Sequence, residues 1–518
     1  MKKQLVLFAA FVLLVAACGG GDSGNEASNR ASDRDSAAPD APPATQAVEA
    51  PAPDDTGTSD DTGTSDSTDT PQPTGGDGEG DAPEDTASPE PSDDVSADEE
   101  AAAISDPVFQ PTCQGEGDLS ATATGVTAET IKIGAPQVDY EELANLGLAR
   151  IDRGGYDVIY EALTAEVNAN GGICGRMLEN VTYKFLPFGT DTSLAGCVYF
   201  TEDEEVFAVL GSFTRVAAGN ICVTETHSTA LIGAPFTADD RARANAPWVS
   251  LGIATDRVLE VFVSALDKAG LLTDAGNVAV HSGAGRQELV DNVLVPALEA
   301  AGVDVAERTV IDVPAGDTQA GAAVWRTFVE IYRNADINTV FLDGDSVFGV
   351  EQLIQGGLDV TLFNAERNAF TFGLQDSSDP GYFEAYTLGS PYTAEDNNPR
   401  MEDCIQGFER QSGIEVIPNS LLPEEETNWF IPVRNVCQVF DLFVQLAAAA
   451  GPNLNNETLQ AAINSFGPIE LPNEAFASLG VGKYDIRDGV VLMKWDPEAG
   501  DEDGGEFVVY SDLINTAG

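Results

Sequence analysis

From about residue 126 onward, short apolar runs alternate with amphipathic stretches of helical period, and this alternation limits the possible folds more than any other feature. The run at 206–211 is apolar throughout, as is typical of a strand covered on both faces. The amphipathic stretch at 156–168 is followed by Gly171 and Gly172, where a helix can stop. Repeats of this kind predict an α/β fold with parallel sheets.

The alternating pattern occurs twice, and its second copy starts after Asp256. For the first copy we predict strands at 130–136, 181–188, 206–211 and 231–234, separated by helices at 156–168, 193–203 and 216–227. For the second copy we predict strands at 277–281, 303–310, 339–342 and 369–373, with helices at 257–269, 287–300, 319–334 and 347–355. The two copies predict two Rossmann-like lobes.

The final part of the chain departs from this alternation. Predicted helices at 401–411, 428–450 and 456–466 form a helical block, and strands at 489–495 and 506–510 form a β-rich tail. From these changes we divide the chain into a signal peptide (1–17), a lipidated Cys with a disordered acidic linker (18–110) and a folded part (111–518).

The first 18 residues have the pattern of an export signal. Lys2 and Lys3 precede an apolar stretch at 5–16, and small residues lead to Cys18. This resembles the bacterial lipobox, which implies that Cys18 is lipidated and becomes the mature N-terminus, so that lipid anchors the chain durably. An ordinary signal peptide with an incidental Cys remains the alternative. We therefore expect an extracytoplasmic protein held at the outer face of the cytoplasmic membrane or in the periplasm.

The segment after Cys18 is low in complexity and strongly acidic. Residues 19–110 consist mainly of Asp, Ser, Thr, Pro, Gly and Ala, and their only basic residues are Arg30 and Arg34. Such a segment has too little apolar surface to offset its conformational entropy, so it is predicted to be a disordered linker. We interpret it as a tether that gives the folded part reach across the cell envelope.

Charge and histidine content exclude several classes of function. The 518 residues carry a formal charge of −61, with 25 Lys and Arg against 86 Asp and Glu, which disfavours nucleic acid as a partner. Of the two histidines, His227 and His281 each end a predicted element, and no hydrolase or metalloprotease motif is present. We therefore expect no enzyme activity, cofactor or metal, and the acidic run at 496–506 lacks EF-hand spacing.

The six cysteines that remain after Cys18 predict disulfides, because their number is even and the chain is exported. In a sheet of order 2-1-3-4, the helices after the second and third strands lie side by side, and each carries one Cys. Similar reasoning about neighbouring elements favours three pairings over the alternatives: Cys113–Cys174, Cys197–Cys222 and Cys404–Cys437.

Four segments resemble one family of solute receptors. They read GVTAETIKIG at 125–134, VNANGGICGR at 167–176, EDEEVFAVLG at 202–211 and GKYD at 482–485. Their order and spacing are similar to those of the leucine/isoleucine/valine-binding group of type I periplasmic-binding-fold proteins. The resemblance implies two Rossmann-like lobes joined by a three-strand hinge, a cleft between them, closure around a small solute and delivery to an ABC-type permease. On this resemblance, lobe 1 comprises 111–254 and a second, helical part (389–467), lobe 2 comprises 255–388, and the return strands of lobe 2 and the hinge lie in 468–518. We expect the chain to act as a monomer.

Ligands of open α/β sheets bind beyond the carboxyl ends of the strands, which selects the loops that follow them. The backbone and hydroxyl groups of the 211–215 loop could hold a carboxylate, as the resemblance also implies. Two alternatives stay open: Arg215 points to solvent or pairs with Asp239 or Asp240, and Phe213 belongs to the core. The loops supply the candidate ligand-binding residues Gln137, Ser212, Phe213, Thr214, Arg215, Phe236, Ser282, Asp345 and Gln375.

The loops of the second lobe depart from the pattern of amino-acid receptors. The resemblance implies a Tyr in the first loop and an acid in the third, but here the first reads SGAGR and the third GLQ, so Asp345 is the candidate acid. We therefore predict capture of a small polar solute of the amino-acid, amide or carboxylate class. The alternatives are a lipoprotein receptor that presents its ligand to a membrane sensor, and a surface protein with a degenerate pocket.

The lipobox generates a direct prediction about Cys18. Replacement of Cys18 by Ala should abolish incorporation of radiolabelled palmitate and release the chain from membranes, because the acylated sulfur is then missing. Membrane fractionation and labelling of the expressed chain measure both effects. Ser23→Ala serves as the control, and membrane retention of the Cys18→Ala chain would show that the anchor lies elsewhere.

Overall fold

The computed structural model describes residues 108–145, 153–187, 190–214, 216–313, 317–344, 346–392, 395–423, 426–500 and 504–517. Cys18, the predicted signal peptide and nearly all of the predicted linker lie outside these residues. Arg215 and Asp345, which the sequence proposed as ligand-binding residues, also lie outside them.

The first sheet has five parallel strands in the order β2-β1-β3-β4-β5. The predicted order 2-1-3-4 is thus confirmed, and a short fifth strand is added at its edge. All residues of β3 are buried, as expected for a strand covered on both faces. The strands are β1 (Thr130–Val138), β2 (Met177–Phe185), β3 (Ala208–Leu210), β4 (Ala230–Gly233) and β5 (Trp248–Ser250).

Helices connect these strands, so successive strands run in the same direction. Two of the helices, α3 and α4, each continue into a π-helical turn, at Tyr199–Asp203 and Cys222–Thr226. The helices are α1 (Tyr140–Asn145), α2 (Tyr156–Ala169), α3 (Asp191–Val198), α4 (Ala217–Ile221) and α5 (Ala238–Arg243).

The second sheet begins with five parallel strands in the spatial order β10-β9-β8-β6-β7. These are β6 (Asn277–Gly283), β7 (Val305–Ile311), β8 (Ile337–Asp343), β9 (Thr361–Phe363) and β10 (Glu384–Gly389). Their helices are α6 (Thr255–Lys268), α7 (Gln287–Leu289), α8 (Val295–Ala300), α9 (Thr318–Asn334), α10 (Ser346–Gly356) and α11 (Arg367–Gln375), with a 3₁₀ turn at Ala284–Arg286 before α7 and a π-helical turn at Val290–Leu294 between α7 and α8.

The late helices return to the first sheet and share its core. Phe440 of the longest helix contacts Phe109 and Tyr160 edge-on, at ring-centroid distances of 5.5 and 5.8 Å. The elements are α12 (Pro399–Ser412), a 3₁₀ turn (Asn419–Leu421), α13 (Phe430–Ala450), α14 (Asn456–Ser465) and a two-stranded pair, β11 (Gly467–Pro468) with β12 (Ser478–Leu479).

The chain then crosses back and adds antiparallel strands to the second sheet. β13 (Gly489–Asp496) pairs with β10, and both β14 (Glu506–Val509) and β15 (Ile514–Asn515) pair with β13. The chain therefore passes between the two sheets three times: after β5, after β10 and before β13. This is the two-lobed α/β architecture with a three-segment hinge that the sequence predicts.

Three disulfides join elements of the first-sheet lobe, each between cysteines that the sequence predicts to be neighbours: Cys113–Cys174, Cys197–Cys222 and Cys404–Cys437. The last pair links α12 to α13, where Arg400 also forms a two-point ion pair with the buried carboxylate of Asp441 at 2.6 and 2.8 Å. Among the described residues, no helix is both long and apolar enough to cross a bilayer.

One predicted strand is wrong. Residues 369–373, a run rich in aromatic and β-branched residues, form part of helix α11. The buried residues of this helix are Phe370, Gly373 and Leu374, whose spacing of three and four is helical. The strand of this unit is β9, which is only three residues long and gives little signal in the sequence.

The Cys113–Cys174 disulfide offers a test of what the cross-links contribute. Its removal in Cys113→Ala/Cys174→Ala should lower the free energy of unfolding by about 3–5 kcal/mol, because the bond closes a long loop in the unfolded chain. Its cysteines are separated by 61 residues. Denaturant titration measures the loss, Glu116→Ala is the nearby control, and an unchanged midpoint would contradict the prediction.

Candidate functional site

The candidate site consists of the loops at the carboxyl ends of the parallel strands in both sheets. In the first lobe these loops follow β1, β3 and β4, and in the second they follow β6, β8 and β9. Ligands bind at this edge in open α/β sheets, so a side chain that contacts the solute is expected to lie in these loops.

The loop after β3 is held in shape by Asn220. Its side-chain oxygen accepts a hydrogen bond from the backbone N–H of Phe213 at 3.0 Å, and its amide donates to the Ser212 hydroxyl at 3.1 Å. Gly211 opens the loop with a φ of 107°, which favours glycine. Ser212 and Thr214 are half-buried, so this rigid loop presents two hydroxyl-bearing residues at the carboxyl edge.

Three of the proposed ligand contacts have structural roles in the first lobe. Phe213 is fully buried and lies 5.2 Å from the ring of Phe185, so it is a core residue and does not line a pocket. Phe236 is buried edge-on against Trp248. The side-chain oxygen of Gln137 accepts the backbone N–H of Asp157 at 3.2 Å, in the first turn of α2.

Gln375 is not part of the candidate site, which corrects the prediction based on the wrong strand. It ends helix α11 and donates a hydrogen bond to the carbonyl of Gly505 at 2.9 Å. Gly505 lies beside the start of β14, near the amino ends of the parallel strands. Ser282 does lie at the end of β6, but its side chain is buried.

The correct third loop of the second lobe follows β9 and carries an acid that the sequence analysis missed. Asn364 begins this loop and accepts the backbone N–H of Glu366 at 2.6 Å. Glu366 is the acidic residue at the carboxyl end of the third strand, where the resemblance implies one. Only a correct placement of the short strand β9 would have identified it from the sequence.

An arginine and an aspartate meet beside Glu366. Arg286, at the start of the helix after β6, donates to Asp343 at the end of β8 through two N–H groups, at 2.9 and 2.7 Å. The third guanidinium nitrogen, Nη1, lies 3.8 Å from Glu366. The cluster places both signs of charge at the carboxyl edge of the second sheet, and can hold a polar ligand group of either sign.

A charged cluster ties the first passage between the sheets to the third. Arg257, in the first turn of α6, donates to Asp485 at 2.7 Å and lies 3.4 Å from Asp488. Asp485 also accepts the backbone N–H of Ala254 at 2.8 Å, and Lys483 lies 3.2 Å from Asp488. Both carboxylates are buried, so each requires these partners.

His281 is a core residue. It is fully buried, its Nδ1 lies 3.1 Å from the Thr309 hydroxyl, and its ring stacks on Trp325 at 4.3 Å. Desolvation by burial lowers the pKa of His281 to about 3, so the ring is neutral in the folded protein at neutral pH. It is unsuited to acid–base chemistry at that pH.

One group of potential metal ligands lies in the described part of the chain, formed by Cys197, Cys222 and His227. The two sulfurs are joined in a disulfide, which leaves no thiolate to bind a metal.

The buried histidine generates a pH prediction. Because its folded pKa is lowered, the unfolded chain binds the proton more readily, and the stability that neutral His281 contributes is present above pH about 6.5 and lost as the pH falls towards 3. When the pH is lowered from 7 to about 4.5, the free energy of unfolding of His281→Phe should fall by about 2–3 kcal/mol less than that of the wild type. Denaturant titrations of the variant and the wild type at both pH values measure this difference, and equal losses would contradict the neutral ring.

Comparison with protein-family models and with curated protein sequences finds no match. Solved structures do match: the matches cover about three quarters of this chain and nearly all of each matched chain. A leucine-, isoleucine-, valine-, threonine- and alanine-binding protein from Brucella ovis in a closed conformation has a TM-score of 0.51 and 14% identity, and covers 75% of this chain and 96% of that one.

Two further structures give the same result. A type 1 periplasmic binding protein from Bordetella pertussis Tohama I has a TM-score of 0.50 and 12% identity, with 74% and 99% of the two chains covered. A solute-binding protein of an ABC transporter from Rhodopseudomonas palustris HaA2, in complex with p-hydroxybenzoic acid, has a TM-score of 0.50 and 14% identity, with 75% and 98% covered. The chain therefore has the type I periplasmic-binding-protein fold.

Proposed function

We propose that this chain is an extracytoplasmic solute-binding lipoprotein of an ABC-type importer, which captures a small polar solute by closure of its two lobes. The observation that carries the proposal is the position of the polar loops. They lie at the carboxyl ends of two separate parallel sheets, and the chain passes between those sheets three times. A solute that contacts both sets of loops stabilises the closed state by its higher affinity for that state.

The charged cluster at the passages supports hinge motion. Arg257 binds the two aspartates of the third passage from the first turn of the helix that follows the first passage. Contacts of this kind hold neighbouring hinge segments together while the lobes rotate about them. The motion is then restricted to bending, and the loops of the two sheets approach each other in one arrangement.

The loops support a polar solute, although not one particular ligand. The loop that Asn220 holds offers hydroxyl and backbone groups, and the second lobe offers Arg286, Asp343 and Glu366. The matched structures are described as binding leucine, isoleucine, valine, threonine and alanine in one case and p-hydroxybenzoic acid in another. All of these are carboxylates, which agrees with the amino-acid, amide or carboxylate class proposed for this chain.

The proposal also covers the lobe boundaries, the membrane anchor and the partner permease. We assign lobe 1 to residues 111–254 and 389–467, and lobe 2 to 255–388 with return strands in 468–518. The lipid on Cys18 holds the chain at the membrane, the acidic linker provides reach, and the permease recognises the closed form. No catalytic step is required of the protein, and it acts as a monomer.

A solute panel tests the function. Amino acids, amides, carboxylates and sugars are added to the purified soluble chain, and the melting temperature and radius of gyration are measured. A working receptor should melt higher with at least one solute and become more compact with the same solute. If no solute shifts the melting temperature, the pocket is degenerate. A shift with no compaction would contradict hinge closure.

A blocking variant locates the site. Thr214→Trp places a large ring on the loop after β3 and should weaken binding of the solute found above at least tenfold, because the ring occupies the space the solute needs. Thr273→Trp is the matched control, since Thr273 is exposed and precedes β6 at the opposite edge of its sheet. Isothermal titration measures both. Equal affinities for the two variants would place the site elsewhere.

A further inference from the structure

Arg153 lies at the carboxyl edge of the first sheet and is not among the ligand-binding residues predicted from the sequence. Arg153 precedes helix α2, and its backbone forms a parallel bridge with Asn428, just before α13. This bridge includes the hydrogen bond that the N–H of Gly154 donates to the Asn428 carbonyl at 3.0 Å. The backbone at Arg153 is therefore tied to the segment that precedes α13.

The side chain of Arg153 is held by an aromatic residue from the loop after β1. Its guanidinium lies 5.2 Å from the centre of the Tyr140 ring, and its Nη1 donates to the Tyr140 hydroxyl at 3.3 Å. Trp429 covers the adjacent Gly154 so closely that a Cβ at that glycine would come within 2.1 Å of the ring. Tyr140 thus holds a half-buried cation, and Trp429 packs against the residue next to it.

Arg153 has no carboxylate partner in the described part of the chain, although the protein carries 86 acidic residues and only 25 Lys and Arg. Two arginines near the carboxyl edges are neutralised, Arg257 by two aspartates and Arg286 by Asp343. Two others have different partners: Arg241 donates to Gln460 and lies over the Tyr484 ring, and Arg367 contacts the Met493 sulfur. Arg176 is also without a carboxylate, but it is buried and donates to backbone carbonyls, which explains it structurally.

The loop after β3, which contains Ser212 and is called the Ser212 loop, lies at the same sheet edge as Arg153. Its position relative to Arg153 indicates which kind of ligand Arg153 binds. β1 and β3 are adjacent strands, so the Tyr140 region and the Ser212 loop follow neighbouring strands at the same edge. Neighbouring strands are about 5 Å apart, so groups bound at the two places would be separated by roughly 5–10 Å. This is the scale of the distance between the two ends of a short dicarboxylate.

We propose that Arg153 is the specificity-determining residue of the binding site and that the solute is a short dicarboxylate. One carboxylate binds the Ser212 loop and the other binds the guanidinium of Arg153, which Tyr140 holds in place. This rests on the proposed function and adds the solute class. Because the net charge of −61 repels any anion, such a ligand needs a cation like Arg153, which has no carboxylate partner among the described residues.

Isothermal titration with matched ligands tests the assignment. Glutarate, adipate and terephthalate are compared with their monoamides, and with leucine and benzoate as ligands that carry one carboxylate. The wild type should prefer at least one dicarboxylate over its monoamide by at least tenfold. Arg153→Gln should remove this preference and leave monoamide binding unchanged, and Arg153→Lys should restore part of it, because the charge returns without the planar fork.

The control variant is Arg308→Gln. Arg308 is half-exposed on β7 of the second lobe, 3.5 and 3.6 Å from Asp291 and Glu299, and its removal should leave the dicarboxylate preference unchanged. If Arg153→Gln fails to fold, Tyr140→Leu, which removes the support of the guanidinium, takes its place and should reduce the preference.

The outcomes separate this inference from the function on which it rests. If leucine, benzoate or another solute binds with compaction, while dicarboxylates bind no better than monoamides or Arg153→Gln has no effect, the inference is overturned and the receptor function stands. If no solute of any class binds, both are overturned. A dicarboxylate preference that depends on Arg153 and not on Arg308 supports both.

Discussion

The ion cluster of Arg257 is the interaction on which the two-lobed arrangement depends. Asp485 and Asp488 are buried in the third passage, and such carboxylates are tolerated only when cations and hydrogen-bond donors compensate for the lost water. Arg257 provides this from the first passage, and Lys483 adds a second cation. Together the two cations neutralise the carboxylates of the third passage, and Arg257 also fixes the distance of that passage from the first.

Much of the fold could be predicted from the sequence, because apolar runs and amphipathic stretches alternate regularly in the first lobe. Even the three-residue strand β3 lies in an apolar run of six residues, 206–211. The order of strands in the first sheet followed from the alternation and the usual doubly wound topology. Two cysteine pairings followed from that order, and the third, Cys404–Cys437, from the succession of two helices in the late block. Cys197 and Cys222, for example, are neighbours because the helices after adjacent strands must lie on the same face. These predictions concern the backbone path, which the hydrophobic pattern specifies directly.

The candidate site was predicted less well, because it depends on short elements and on side-chain direction. A three-residue strand, β9, was missed and the helix after it was read as a strand, which moved the third loop to Gln375 and hid Glu366. Phe213 lies in a loop that the topology selects correctly, but its ring turns into the core. Sequence periodicity does not specify which loop residues turn inward, and Arg153 could be recognised only once its neighbours were known.

The disulfides are distributed unequally, and this has a mechanical consequence. All three join elements around the first sheet, whereas the segment from β6 to β10 and the strands from β13 onward contain no cysteine. Covalent links resist deformation and slow local opening in the half that contains them. The two halves are therefore unequal in stiffness: the first is cross-linked covalently, whereas the other is held by packing, hydrogen bonds and ion pairs without a disulfide.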